Sequence, residues 1–327
     1  MGYSLEVVRR ARMQLAQARE DRESENRQHL AEAYAAVPRI REIDLELRKT
    51  MVTAAQAAFV SGTDGKEAME QVKKANLTLQ QERQRLAAAH FPEGYLDESP
   101  ICAKCGGTGY IGSNMCECLQ ELCRQEQKRE LTFLTGGKET FNQFKLEYYP
   151  ERIDPKLGYS PRQIMERCLQ KCRKYAYSFE KNSGNLLFSG GTGLGKTFLS
   201  ACIARVVADR GFSVVYESAP HLFSKLEAAK FSPTEENRRE AAQFGSCDLL
   251  IIDDLGTEMP GQFITAALYT LLNDRILSNK PMVVSTNLIM DEIQRRYSPQ
   301  IASRLRGSFL LLPFVGEDIR VLKNRGQ

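Results

Sequence analysis

Gly190-Gly191-Thr192-Gly193-Leu194-Gly195-Lys196-Thr197 constrains this chain more than any other stretch. It fits G-x-x-x-x-G-K-[ST], a loop whose glycines let backbone N–H groups turn inward around a phosphate. Leu186-Leu187-Phe188 before it reads as a short buried strand, and residues 198–204 after it read as a helix. That helix points its positive end at the same anion. Lys196 is expected to reach the β- and γ-phosphates of a nucleotide, and Thr197 to hold Mg²⁺ through its hydroxyl. The bland alternative, a Gly-rich turn with a chance Lys-Thr, does not account for the strand and helix around it.

Downstream, apolar runs at residues 213–216, 249–252 and 282–285 alternate with helical patterns, and residues 310–312 offer one more. Strands alternating with helices predict an α/β fold with a central parallel sheet, its ligand at the carboxyl ends of the strands. Leu249-Leu250-Ile251-Ile252 runs into Asp253-Asp254, a Walker B arrangement. Asp253 is expected to bind Mg²⁺, and Asp254 to orient or polarise the attacking water. Val283-Val284-Ser285-Thr286 leads into Asn287, which either bonds the γ-phosphate or lytic water or simply starts a turn. Ser303-Arg304-Leu305-Arg306 lies in an expected helix from Ser298 onward. An arginine there can reach the γ-phosphate of a neighbouring subunit, with Arg306 the rival to Arg304 and a plain surface arginine the alternative. Arg320 is placed to contact phosphate within its own chain.

The rest of the chain is different in kind. Its 327 residues suggest two or three domains. A composition of 42% hydrophobic and 26% charged residues is that of an ordinary soluble protein. No apolar run is long enough for a membrane span, no signal segment opens the chain, and Glu6 breaks the myristoylation pattern after Met1-Gly2. The expectation is a cytoplasmic protein without membrane contact. A net charge of +4, with a pI near 8.5, permits a nucleic-acid surface without demanding one.

Residues 1–92 are rich in Ala, Glu, Arg, Gln and Leu and predict three helices. The first carries Leu5, Val8, Ala11, Leu15 and Ala18 at helical spacing. The second starts at Pro38 and carries Ile40, Ile43, Leu45, Leu47 and Met51 toward Phe59. Ser61-Gly62-Thr63-Asp64-Gly65 reads as a turn, and the third helix, from Lys66 to about Ala89, turns Met69, Val72, Leu77, Leu79 and Leu86 inward. This segment is either a plain helical bundle or a docking module for a partner.

Residues 93–138 hold Cys102-x-x-Cys105-Gly106-Gly107-Thr108-Gly109 and then Cys116-x-Cys118. Four thiolates at this spacing close a tetrahedral Zn²⁺ site, and so small and Gly-rich a region needs a staple. Cys123 is a substitute ligand. A redox dithiol or four incidental thiols are the alternatives. In Cys168 and Cys172, four apart on an expected helix over residues 161–179, burial is favoured over metal, as it is for Cys202 and Cys247.

With these parts assembled, residues 139–327 resemble an AAA+ P-loop ATPase and, more narrowly, the bacterial replicative helicase loaders of the DnaC/DnaI type. The loop at 190–197, Leu-Ile-Ile-Asp-Asp-Leu-Gly at 250–256, Ser-Thr-Asn at 285–287 and Ser-Arg-Leu at 303–305 carry the resemblance. It extends loosely to the cysteines, since some loaders carry a zinc module. It implies ATP and Mg²⁺ as cofactors, sensor 1 at Asn287, an arginine finger at Arg304 and a sensor 2 arginine at Arg320. The chain ends soon after Arg320, so a helical lid is expected to be missing or reduced. Phe141-Asn142-Gln143-Phe144 with Tyr148-Tyr149-Pro150 matches the family's entry segment beside the adenine.

The implied function is ATP-dependent loading of the hexameric replicative DNA helicase onto single-stranded DNA, with self-assembly through the ATPase domain and slow hydrolysis used as a switch. Between Glu217 and Asp248, Phe223 and Phe231 can stack on bases while Lys225, Lys230, Arg238 and Arg239 track phosphates; Glu227, Glu235, Glu236 and Glu240 dilute that charge and leave a merely solvated amphipathic helix as the equal alternative. The alternative in the same fold is an IstB-like transposition helper, from which the cysteine cluster and long helical segment depart. A third reading, an adaptor that binds ATP without turning it over, fits poorly with the full set Lys196, Asp253, Asp254 and Asn287.

Overall fold

The computed structural model describes residues 3–57, 63–135, 139–153, 155 and 158–325. The chain forms two compact units, one of residues 1–12 with 119–327 and one of residues 13–118. This division cuts across the three sequence regions. Arg10 pairs with Glu126 at 3.0 Å and Ser4 donates to Glu130 at 3.2 Å, so the first turns of the chain belong with the ATPase unit.

The smaller unit holds most of α1 (Leu5–Ala36), with α2 (Pro38–Ala57) and α3 (Thr63–His90). Asp44 ties these three helices: it accepts from Tyr34 at 2.9 Å and from Arg83 at 2.7 Å. The inward faces differ from expectation in detail. Val7, Ala11 and Leu15 are buried, whereas Ala18 is exposed and Val8 only half-buried. Leu45 and Leu77 face solvent, while Ile40 and Ile43 are fully buried. The reason is the helical period: residues two apart point about 200° away from each other, so Leu77 and Leu79 cannot share a face, nor can Leu45 share one with Ile43 and Leu47. Thr63, Asp64 and Gly65 form the first turn of α3 rather than a loop. Phe59, Ser61 and Gly62 lie outside the described residues, as do the side chains of Met51, Met69 and Val72. A short hairpin, β1 (Tyr110–Ile111) and β2 (Asn114–Met115), comes after α3.

After the first turns of α1, the larger unit resumes within α4 (Glu117–Thr135) and continues to α5 (Pro161–Tyr177), the latter started by a capping box at Ser160 and Gln163. The expected alternation then appears. Strands β3 (Asn185–Ser189), β4 (Val214–Ser218), β5 (Leu249–Leu255), β6 (Met282–Thr286) and β7 (Phe309–Pro313) form one parallel sheet in the order β4-β5-β6-β3-β7. Between them run α6 (Lys196–Asp209), α7 (Ala219–Phe231), α8 (Glu235–Ser246), α9 (Gln262–Leu277), α10 (Met290–Arg296) and α11 (Pro299–Ser308).

Alternate strand residues feed two cores. Leu186, Phe188, Ile251 and Val283 pack on the α5–α6 side; Leu187, Leu250, Ile252 and Val284 pack on the side of α7, α9 and α11. Cys168, Cys172 and Cys202 lie in the first core and Cys247 in the second. The order puts β6 between the strand that leads into the Gly190 loop and the strand that ends in two acids. Their carboxyl ends therefore meet in one crevice.

Candidate functional site: a phosphate loop facing two carboxylates

The loop leaves β3 at Ser189 and enters α6 at Lys196. Gly193 and Gly195 have φ of +70° and +88°, a region closed to most side chains. A Cβ on Gly193 would stand 1.9 Å from Asp318 Oδ1, and one on Gly190 would stand 2.1 Å from the Phe314 carbonyl. The chain after β7 is thus laid directly on the loop, and Ile319 N–H donates to the Gly193 carbonyl at 3.0 Å. On the other flank Tyr149 donates to the Leu194 carbonyl at 2.8 Å, and Phe144 stacks on Tyr149.

Lys196 is almost wholly buried, and its Nζ donates to the carbonyls of Gly190 and Gly191 at 2.8 and 2.7 Å. Burial lowers its pKa, opposed by the charges of Asp254 and Asp253. The two acids occupy a register irregularity between Ile252 and Leu255, with Asp254 at φ +55°. The irregularity aims consecutive side chains at different tasks. Asp253 is buried, accepting from Ser285 at 2.5 Å and from Tyr216 at 2.8 Å. Asp254 is exposed; partial burial, then the charge of Asp253, raises its pKa.

A cavity of about 240 Å³ brings these parts together. Thr192, Gly193, Leu194, Gly195, Lys196 and Thr197 line it, with Asp254 and Arg320, and Phe144, Tyr148, Tyr149 and Ile319 close its other side. Asn287, Arg304, Gly190, Gly191 and Asp253 do not line it. Asn287 directly follows β6, its Oδ1 3.5 Å from where a Gly256 Cβ would lie. Arg304 sits half-buried on α11, its side chain without a hydrogen bond or ion pair among the described residues, whereas Arg306 pairs with Asp291 at 3.2 Å. The donor set of threonine hydroxyl and carboxylates is hard oxygen, which suits Mg²⁺. Sequence reading did not find Tyr216 or Asp318, because each reaches the site from another segment of chain and no local pattern marks it; Ser285 lies in the Ser-Thr-Asn motif, but its bond to Asp253 depends on the pairing of β5 with β6.

The second candidate centre is the thiol cluster. The Sγ atoms of Cys102, Cys105, Cys116 and Cys118 lie within 4.8 Å of one another, with Cys102–Cys116 at 3.8 Å and Cys105–Cys118 at 3.5 Å. A tetrahedron with Zn–S of about 2.3 Å has edges of roughly 3.8 Å, so the four residues fit zinc. Burial pushes the Cys105 thiol up, but N–H donors from Gly109 and Gly107 and the neighbouring thiols outweigh it and hold it at about 6. Cys123 lies buried on α4, outside the cluster, so it is not a substitute ligand.

The DNA-facing expectation is corrected on α7 and α8. Phe223 is buried in the second core and cannot stack on a base, since it supplies the apolar face of α7. Lys225 is paired with Glu217, and Arg239 with Glu235 at 2.8 Å. Phe231 is exposed and packs against Phe263, with Lys230 Nζ 5.3 and 5.1 Å from the two ring centres.

The parallel sheet, the phosphate loop and the acid pair beside it define the class: the larger unit carries a P-loop ATPase domain. Residues 153–303 match the family profile described as IstB-like ATP binding protein. Within that class the chain resembles the replicative helicase loaders. It is 25% identical over 138 residues to the replicative helicase loader DnaC of Escherichia coli (strain K12), covering 42% of this chain and 56% of that protein. The chain thus spans little more than half the length of that relative. Two solved structures are also similar: the DnaC helicase loader (17% identity, TM-score 0.45, 54% of this chain and 98% of that one) and DnaI (20%, TM-score 0.43, 58% and 92%). Among the described residues, no helix is long and apolar enough to cross a membrane.

Proposed function

We propose that this protein is an ATP-dependent loader of the hexameric replicative DNA helicase, acting in the cytoplasm on single-stranded DNA. The observation that carries the reading is the single cavity into which Lys196, Thr197, Asp254 and Arg320 converge, in a chain similar to helicase loaders. Gly190 to Thr197 bind the ATP phosphates, Thr197 and Asp253 hold Mg²⁺, and Asp254 orients the attacking water. Bound Mg²⁺ neutralises phosphate charge; the chain's own groups position it. Asn287 senses the γ-phosphate from just past the end of β6, and Arg320 contacts phosphate within the chain. Arg304, whose side chain has no partner among the described residues, is the finger given to the neighbouring subunit's site, so that ATP drives side-by-side assembly.

The three sequence regions divide the work. Residues 1–92 dock the helicase, residues 93–138 hold a structural zinc through the four cysteines, and residues 139–327 turn over ATP. Phe231 and Lys230 are the surface offered to DNA, an exposed ring backed by the half-buried Phe263 and a cation beside it, of the kind that stack on bases. The IstB-like family description keeps a transposition helper as the second reading. An ATP-dependent pull-down from lysate of the source organism, with Asp254→Asn to trap the ATP state, separates them. Recovery of the replicative helicase supports loading; recovery of a transposase without helicase supports the second reading.

A further inference from the structure

Glu258 is a buried carboxylate with no part in the chemistry above. It lies four residues past Asp254, on the loop between β5 and α9. Burying a carboxylate is costly unless charge and hydrogen bonds compensate it, and here the compensation comes from two places. From its own loop, Gly256 N–H donates to Glu258 Oε2 at 2.9 Å. From the α10–α11 junction, the Tyr297 hydroxyl donates to Oε1, Arg296 Nε stands 3.5 Å from the same oxygen, and the Arg296 guanidinium also donates to the Glu258 carbonyl.

The junction runs straight into α11, the helix of Arg304. Ser298 caps that helix, its hydroxyl accepting from Ile301 N–H at 3.2 Å. The loop, for its part, runs straight out of the acid strand. Gly256 leaves that strand with φ +109°, and a Cβ there would meet Leu288 at 2.7 Å, so the loop is closely packed against the end of β6. One buried side chain therefore joins the segment leaving Asp253-Asp254 to the segment entering the helix of Arg304.

We propose that Glu258 is a positioning residue that ties the acid loop of a subunit's own ATP site to the arginine that subunit presents to its neighbour. This rests on the reading of Arg304 as a finger acting between subunits. Movement of the acid loop on ATP binding is then passed through Glu258 to the start of α11, and a subunit presents its finger correctly only while this connection is intact. Glu258 touches neither nucleotide nor the attacking water, so its loss affects the neighbour's site and spares its own.

Subunit mixing tests this. Glu258→Gln keeps the shape and removes the charge; turnover is expected to fall by roughly tenfold, less than the ~10³-fold or more that loss of a finger brings. Lys196→Ala subunits have a dead site and an intact finger. Added in excess, they are expected to restore turnover at the Glu258→Gln sites by roughly fivefold, and likewise at Arg304→Ala sites, while the affinity of Glu258→Gln for ATP stays within about twofold of the parent. Rescue of Arg304→Ala without rescue of Glu258→Gln overturns the proposal, since Glu258 then serves its own site. Rescue of neither overturns the finger reading first and this proposal with it. Tyr297→Phe, which removes one hydrogen bond to Glu258, gives the same test with a smaller loss should Glu258→Gln fail to fold.

Discussion

Tyr216 on β4 donates its phenolic hydroxyl to Asp253 Oδ2 at 2.8 Å, across the pairing of neighbouring strands. Burial, and then the Asp253 carboxylate, hold the phenol well above its ordinary pKa, so it stays a donor. With Ser285 on the other oxygen, it fixes the plane of the carboxylate assigned to Mg²⁺. Groups behind a metal ligand commonly change metal affinity 10–100-fold when lost. Tyr216→Phe is expected to raise the Mg²⁺ concentration for half-maximal nucleotide binding by roughly tenfold. Affinity for ATP in chelator is expected to stay unchanged. Titrating Mg²⁺ against a fluorescent ATP analogue reads both; equal loss with and without Mg²⁺ contradicts the assignment.

Asp254 gives a pH prediction. Its pKa is raised by partial burial and by Asp253, so its ionised form is less favourable in the folded chain than in the unfolded one. The folded state bears this cost above the folded-state pKa and escapes it once both states are protonated, below the ordinary carboxylate value. Asp254→Asn is therefore expected to raise the melting temperature at pH 7, by on the order of 1 °C for a domain this size. The gain should vanish as pH falls below the ordinary aspartate range. Melting curves across pH 3–8, a range set by about 3.9 for free aspartate, check the sign.

Gly193 gives a packing prediction. Alanine there meets both an unfavourable φ of +70° and the Asp318 carboxylate. Gly193→Ala is expected to cost about 1–3 kcal/mol of stability. Gly193→Ala with Asp318→Ala should recover the steric part and leave the backbone part. Urea unfolding of Gly193→Ala, Asp318→Ala and the double variant measures it, and simple additivity contradicts the close approach.

For the cysteines, protein purified without chelator is expected to hold about one zinc per chain. Cys105→Ser or a strong chelator should release it and lower the protection of residues 102–118 in hydrogen exchange. A metal-free chain with unchanged protection there contradicts the zinc assignment.

Strand positions in the larger unit were legible because parallel strands buried on both faces are continuous apolar runs, as at Leu249 to Ile252. The phosphate loop was legible because its chemistry demands fixed spacing within eight consecutive residues. Leu45, Leu77 and Phe223 were misplaced because apolar identity does not tell which side of a helix packs. Tyr216, Asp318 and Glu258 left no local pattern, and the motif at 285–287 did not reveal that Ser285 holds Asp253. Their meaning comes from strand order and from chain returning after β7, which only the folded sheet brings together.

Loading itself is the step on which every assigned role depends. Closed circular single-stranded DNA admits a ring helicase only if something opens or assembles the ring around it. With purified helicase of the same source, the parent protein and ATP should bring helicase onto the circle, seen as co-elution on gel filtration. Lys196→Ala should abolish this transfer. Equal helicase on the circle with and without the protein, or transfer that Lys196→Ala and the absence of ATP leave intact, contradicts an ATP-dependent loader.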